Sequence, residues 1–317
     1  MIDKPLSAGF LFPGQGAQSI GMGKDFYDQS ALAKKIFDGS NQILGYDLAQ
    51  ICLQGPEDKL TRTLYAQPAI FVTSYVALSL LRERFPELNP VWTAGLSLGE
   101  FTSLVAAGAL SFEDGLKLVA ARADAMENAG QSRPGTMASI IGLSLGDCEA
   151  LAREAGCEVA NLNSPDQFAL SGTFESIEKV CKLAETQGAK RAIPLKVGGA
   201  FHSSLMIDAK EALEKALVHT PVRSPACTFI PNVTAQRVTE PSEIKMLLAK
   251  QLMSPVRWIE TMARAKESGV RYLIEIGPGR VLKGLARKCE PSLNVLNCGT
   301  AVELQKLDEV FGKIGTK

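Results

Sequence analysis

Short apolar runs alternating with longer helical patterns constrain this chain more than any other feature. Residues 9–12 form a buried-strand pattern that runs into a Gly-rich turn, and residues 91–96 form a second that gives way at once to a helix over 98–107. A third run, 271–276, is followed by Gly-Pro-Gly and a basic helix. Between them lie helical patterns at 67–85, expected to start near Pro68, and at 111–129. Ser111 is placed to cap the latter, with Glu113 and Asp114 in the first turn, where the helix dipole favours acids. Strands alternating with helices predict an α/β protein with a mostly parallel sheet. A chain of 317 residues has room for about two domains, or one large domain with an insertion.

Residues 130–199 keep a different rhythm. They read as strand (136–142), helix (145–155), strand (158–161), a turn at Ser164-Pro165-Asp166, strand (168–171), helix (174–187) and strand (191–196). That order, βαββαβ, is ferredoxin-like. It is bounded by Ser132-Arg133-Pro134-Gly135 and by Gly198-Gly199. The expected organisation is a core unit from 1–129 and 200–317, with 130–199 as an inserted subdomain.

Composition excludes several function classes. Lys+Arg and Asp+Glu are 34 each, so the bulk basic field of a nucleic-acid binder is missing. Hydrophobic residues at 46% supply a core, and 13 Phe argue against disorder. No stretch approaches about 18 uninterrupted apolar residues, so no membrane span is expected. The opening stretch, residues 1–12, is too short and too interrupted for a secretory signal, and it is not Arg-rich like a transit peptide. Seven cysteines without a C-x-x-C pair, beside only two histidines, give no zinc-site pattern. Reduced thiols in a cytoplasmic protein are expected instead.

The sharpest chemical signal is Gly95-Leu96-Ser97-Leu98-Gly99, a G-x-S-x-G set between a strand and a helix. A nucleophile elbow needs that context: a sharp turn exposes the Ser hydroxyl, and N–H groups at the helix start can hold an oxyanion. Ser97-x-x-Glu100 also fits a capping box, so a purely structural Ser97 is the alternative. A nucleophilic Ser needs a base, and only His202 and His219 are available. His219 sits near a helix end. His202 lies in the loop GGAFHSS, which suits function, although it also fits a helix start. No Asp or Glu is placed by the sequence as a third triad member. The cluster FPGQGAQ at 12–18 fails both phosphate-loop patterns; it fits a tight turn, or a loop that brings an N–H and an amide towards Ser97. Arg122, at the margin of an apolar helical stripe, either snorkels to water or offers its fork to a substrate carboxylate.

Eight ordered blocks then carry a resemblance: FPGQGAQ (12–18), GLSLGE (95–100), the helix around Arg122, NSP (163–165), GAFHSSLM (199–206), NVTA (232–235), QLMSPVRW (251–258) and EIGPGRVLKGL (275–285). Along nearly its whole length the chain resembles the malonyl-CoA:acyl-carrier-protein transacylases. The resemblance implies an α/β-hydrolase-like core with a mostly parallel sheet, carrying a ferredoxin-like subdomain. It makes Ser97 the nucleophile that holds malonyl as an ester and His202 its base. The backbone carbonyl of Gln251 would orient that base in place of a carboxylate. Gln15 and Leu98 would supply the oxyanion N–H groups, Arg122 would pair with the malonyl carboxylate, and Phe201 would accompany malonyl selectivity. No cofactor or metal is implied; the substrate is malonyl-CoA and the partner an acyl carrier protein bearing phosphopantetheine. That carrier is acidic in the family, and Lys190, Arg191, Lys196, Arg280, Lys283, Arg287 and Lys288 offer a basic rim for it, a solvated surface being the alternative. The chain departs from the family at Leu96, where a His usually precedes the nucleophile; this puts acyl selectivity in question. Fatty acid and polyketide synthesis both fit as the pathway. A serine thioesterase and a non-catalytic interaction protein are the rival classes.

Overall fold

The computed structural model describes residues 7–312; residues 1–6, part of the stretch read above for a leader, lie outside the described residues. In chain order its strands are β1 (Ser7–Phe12), β2 (Asn89–Gly95), β3 (Thr136–Ile141), β4 (Glu158–Ser164), β5 (Gln167–Gly172), β6 (Arg191–Pro194), β7 (Thr228–Phe229), β8 (Tyr272–Ile276) and β9 (Asn294–Cys298). They form two sheets. The larger has the order β7-β2-β1-β8-β9 with every pair parallel. Its central strand β1 buries Ala8, Phe10, Leu11 and Phe12, the continuous apolar run of a strand covered on both faces. The α/β expectation holds.

The smaller sheet has the order β4-β5-β3-β6 with every pair antiparallel. Numbered within residues 136–194 that is 2-3-1-4, the ferredoxin-like arrangement. The Leu145–Ala155 and Phe174–Thr186 helices pack on it over a separate apolar cluster that includes Ile140, Leu151, Phe168, Leu170 and Val180. Here β4 runs on to Ser164, where a turn was expected to begin, and β6 stops at Pro194.

One boundary differs instructively. The helix expected at 67–85 spans Thr63–Arg84, with Pro68 inside it. Interior proline costs about 3 kcal/mol. Burial of Ala66 and of nearly every residue from Ala69 to Leu81 outweighs that. It is the one described helix long and apolar enough to cross a membrane, and most of it is buried in the protein, against the Phe112–Ser132 helix among others. The helix whose end was expected near His219 spans Ile207–His219, whereas helices over 24–61 and 241–267, together with β7 and β9, were not expected.

In the larger sheet the chain moves from β1 outward to β2 and β7, then returns to β8 on the other side of β1. Such a reversal opens a crevice at the carboxyl ends of the strands, the usual ligand position in parallel sheets. The turns that leave β1, β2 and β8 meet there.

Candidate active site

The elbow is built by its small residues. A Cβ on Gly95 would run into the Gly99 carbonyl, and one on Gly99 into the Phe12 carbonyl oxygen. Only without those side chains can the turn after β2 close onto β1. Ser97 itself has φ 52, a left-handed backbone that non-glycine residues rarely adopt. The following helix, Gly99–Ala106, is preceded by Leu98 at its N-cap and has no side-chain cap. Ser97 therefore stands one residue too early to cap it, and the capping-box reading fails. Its Oγ lies 2.9 Å from His202 Nε2 instead.

His202, in the loop after β6, has φ 59 and is buried. Ser203, rather than His202, caps the short 3-10 turn Ser204–Met206. The His202 Nδ1 lies 2.8 Å from the backbone carbonyl of Gln251. A carbonyl only accepts, so Nδ1 carries the proton and Nε2 is left with its lone pair facing the Ser97 hydroxyl. Burial first, and the Arg122 charge second, push the imidazole pKa down to about 4. It is a neutral acceptor at pH 7. His219 ends the Ile207–His219 helix and is exposed.

Arg122 does not snorkel. At 1% exposure it lies within the protein. It donates from Nη1 to Gln67 Oε1 at 2.6 Å and from Nη2 to Ser97 Oγ and Gln251 Oε1, each at 2.9 Å. The guanidinium stands over the Phe101 ring, 5.6 Å from its centroid. Burial pulls its pKa down to about 9, with Glu100 acting the other way, so it stays charged at neutral pH.

The turn after β1 delivers Gln15. A Cβ on Gly14 would strike the Leu96 carbonyl oxygen, so this glycine lets the two turns touch. The Gln15 amide donates to Thr63 Oγ1 at 3.2 Å. The backbone N–H groups of Gln15 and Leu98 donate to no acceptor among the described residues. With Ser97, Arg122, Phe201 and His202 these loops line a cavity of about 390 Å³, closed in part by Met137, Asn161 and Leu195 of the small sheet's segment. Two features escaped the sequence. Gln67 is a polar residue alone in an apolar stretch of helix, which was a usable signal. Asn232, first residue of the NVTA block but given no role there, accepts the Ser97 N–H on its Oδ1 at 2.6 Å from 135 residues away, a contact that no local pattern signals.

A family model described as acyl transferase domain matches residues 9–306. The malonyl CoA-acyl carrier protein transacylase of Bacillus subtilis (strain 168) is 43% identical over 297 residues, covering 90% of this chain and 92% of that protein. The chain belongs to this family of acyl transferases. Among solved structures, an acyl-carrier-protein S-malonyltransferase from Burkholderia pseudomallei superposes with a TM-score of 0.91 at 37% identity, covering 96% of this chain and 99% of that one. A malonyl-transacylase solved in complex with its type II polyketide acyl-carrier protein gives 0.92 at 33% identity, covering 96% and 99%. In this acyl transferase Leu96 lines the cavity beside Ser97. The seven basic residues named above are all exposed; Arg280 pairs with Glu303, and Lys288 with Asp166.

The buried, carbonyl-bound imidazole makes a direct prediction. With only two histidines, His219→Gln leaves a single imidazole to follow by NMR. His202 should remain neutral at about pH 5.5, a full unit below the ordinary histidine value of about 6.5. Its resonances should begin to move only towards pH 4. A midpoint at about 6.5 would contradict the burial argument.

Proposed function

We propose that the chain transfers malonyl from malonyl-CoA to the phosphopantetheine thiol of an acyl carrier protein, by way of an ester on Ser97, and so supplies fatty acid synthesis. One observation carries the reading: the Ser97 hydroxyl meets a neutral imidazole and a buried guanidinium at once, each at 2.9 Å. The imidazole suits general-base chemistry, and the guanidinium suits an acyl group that ends in a carboxylate.

In the first half-reaction Ser97 Oγ attacks the thioester carbonyl while its proton passes to His202 Nε2. The new oxyanion sits against the N–H groups of Gln15 and Leu98, which point no hydrogen bond elsewhere among the described residues. The C–S bond then breaks, and the coenzyme A thiolate takes the proton from Nε2. The second half-reaction runs the same steps in reverse order with a new thiol. The carrier-protein thiol gives its proton to Nε2 and attacks the Ser97 ester, and Ser97 leaves with that proton. The imidazolium that forms in each half is held by the Gln251 carbonyl, so no carboxylate partner is required. Phe201 bounds the acyl space on this reading.

The same proposal divides the chain into a catalytic unit (1–129 with 200–317) and a subdomain (130–199) that helps enclose the acyl group. Phosphopantetheine arrives on the partner, so the chain carries no cofactor of its own, and it works in the cytoplasm. Malonyl relatives and the solved carrier-protein complex support the acceptor.

Radiolabelled malonyl-CoA distinguishes transfer from hydrolysis. With holo carrier protein present, label should move to the carrier; label released as free malonate at the same rate would identify a thioesterase instead, and no turnover would leave an interaction protein.

Arg122 yields a second test. Acetyl lacks the carboxylate, so with acetyl bound the buried guanidinium would miss a partner, and sites of this kind discriminate by up to about 10⁴–10⁵-fold. Arg122→Ala should collapse kcat/KM for malonyl-CoA while preserving or raising it for acetyl-CoA. Arg122→Lys should recover little, because a point charge does not reproduce the fork. A parallel fall for both substrates in a folded variant would show that the carboxylate is read elsewhere.

A further inference from the structure

Glu100 lies three residues beyond the nucleophile, in the first turn of the Gly99–Ala106 helix, and it is fully buried. An acid at a helix start gains from the dipole, but that gain is available at the surface too. Burying a carboxylate is costly unless its oxygens find donors. Glu100 Oε2 has two, the Gln251 side-chain Nε2 at 2.8 Å and the Asn232 backbone N–H at 2.9 Å. Its Oε1 has none among the described residues. Burial accordingly raises the carboxyl pKa to about 7. A residue kept at such a disadvantage calls for a purpose, and its two partners give one.

Gln251 holds a reacting group at each end. Its backbone carbonyl receives His202 Nδ1–H, and its side-chain Oε1 receives Arg122 Nη2. A side-chain amide has a donor end and an acceptor end that can exchange by a flip. Here the guanidinium, which only donates, faces Oε1, and the Glu100 carboxylate faces Nε2. Nε2 also donates to the Ser97 carbonyl at 3.0 Å. The carboxylate thus fixes which way the amide points.

Asn232 is the second arm. Its Oδ1 accepts the Ser97 N–H at 2.6 Å, and its Nδ2 donates to the Gly95 carbonyl at 2.7 Å. The side chain clasps the elbow on both sides of Leu96. It is presented by a turn strained enough to hold buried Ala235 at φ 49. One oxygen of Glu100 therefore ties down two segments, around 232 and around 251, one gripping the nucleophile and the other the base.

We infer that Glu100 is a positioning residue for acyl transfer, holding Ser97 through Asn232 and His202 through Gln251; this rests on the roles proposed above for Ser97 and His202. Misplacing reacting groups by about 1 Å can cost about 10²-fold in rate.

The test is rapid-quench kinetics of Ser97 loading in Glu100→Ala and Glu100→Gln, with folding followed by circular dichroism. Glu100→Ala should lower kcat for malonyl-CoA about 10²-fold with KM little changed. Acetyl-CoA loading should fall by the same factor, unlike the selective loss expected in Arg122→Ala. Glu100→Gln keeps an oxygen where Oε2 stands and should recover most of the rate. A folded Glu100→Ala with parental kcat, a loss confined to KM, or a Gln variant as poor as Ala would overturn the inference. Should Glu100→Ala fail to fold, Asn232→Ser cuts the same arm from its other end, and an undiminished kcat there overturns it equally. If the parent chain itself forms no Ser97 ester, the proposed function fails; a parent that loads normally beside an indifferent Glu100→Ala removes only this inference.

Discussion

A guanidinium with 1% exposure must be met by acceptors, and the centre of this protein is arranged around that demand. Arg122 reaches Gln67 on one helix, Ser97 at the elbow and Gln251 at the end of another. The remaining polar groups follow from these. Gln251, with its side-chain oxygen committed to Arg122, presents its amino group to Glu100 and to the Ser97 carbonyl, while its backbone carbonyl takes His202 alongside the Ser254 N–H. The charge proposed to meet a substrate carboxylate is thus bonded to the same residue, Gln251, whose carbonyl holds the proposed base.

Such a cluster is tolerable only at a seam. It lies where the turns leaving β1, β2 and β8 converge, with the apolar core of the parallel sheet beneath and the segment of the antiparallel sheet alongside. Left-handed backbones at Ser97 and His202 each cost of order 1–3 kcal/mol and persist only where surroundings over-determine them. The clash-limited glycines at 14, 95 and 99 and the bonds from Asn232 and Gln251 supply that determination. A neutral imidazole then needs no carboxylate partner.

Much of the architecture was legible in the sequence because it has local causes. A strand running through G-x-S-x-G into a helix is visible in five residues, and the ferredoxin-like order is visible because its elements are short and well punctuated. Residues 24–61 were opaque for the opposite reason: apart from Ala31–Leu44, their helices span only five to seven residues, too few to show a 3.6 period. At the site, residue types were readable and directions were not. Periodicity puts Arg122 at the edge of a stripe, and only the acceptors brought by Gln67 and Gln251 turn it inward. Ser97-x-x-Glu100 has the spacing of a capping box; what defeats it is the left-handed φ at Ser97, set by contacts from residues more than 100 positions away.

The central claim is that this buried cluster makes Ser97 the acyl carrier. Mass spectrometry of the chain quenched seconds after mixing with malonyl-CoA tests it most directly. One malonyl group per chain, mapped to the peptide containing Ser97 and discharged on adding holo carrier protein, is the predicted result. An adduct on a cysteine, or undiminished transfer with no ester on Ser97, would contradict it.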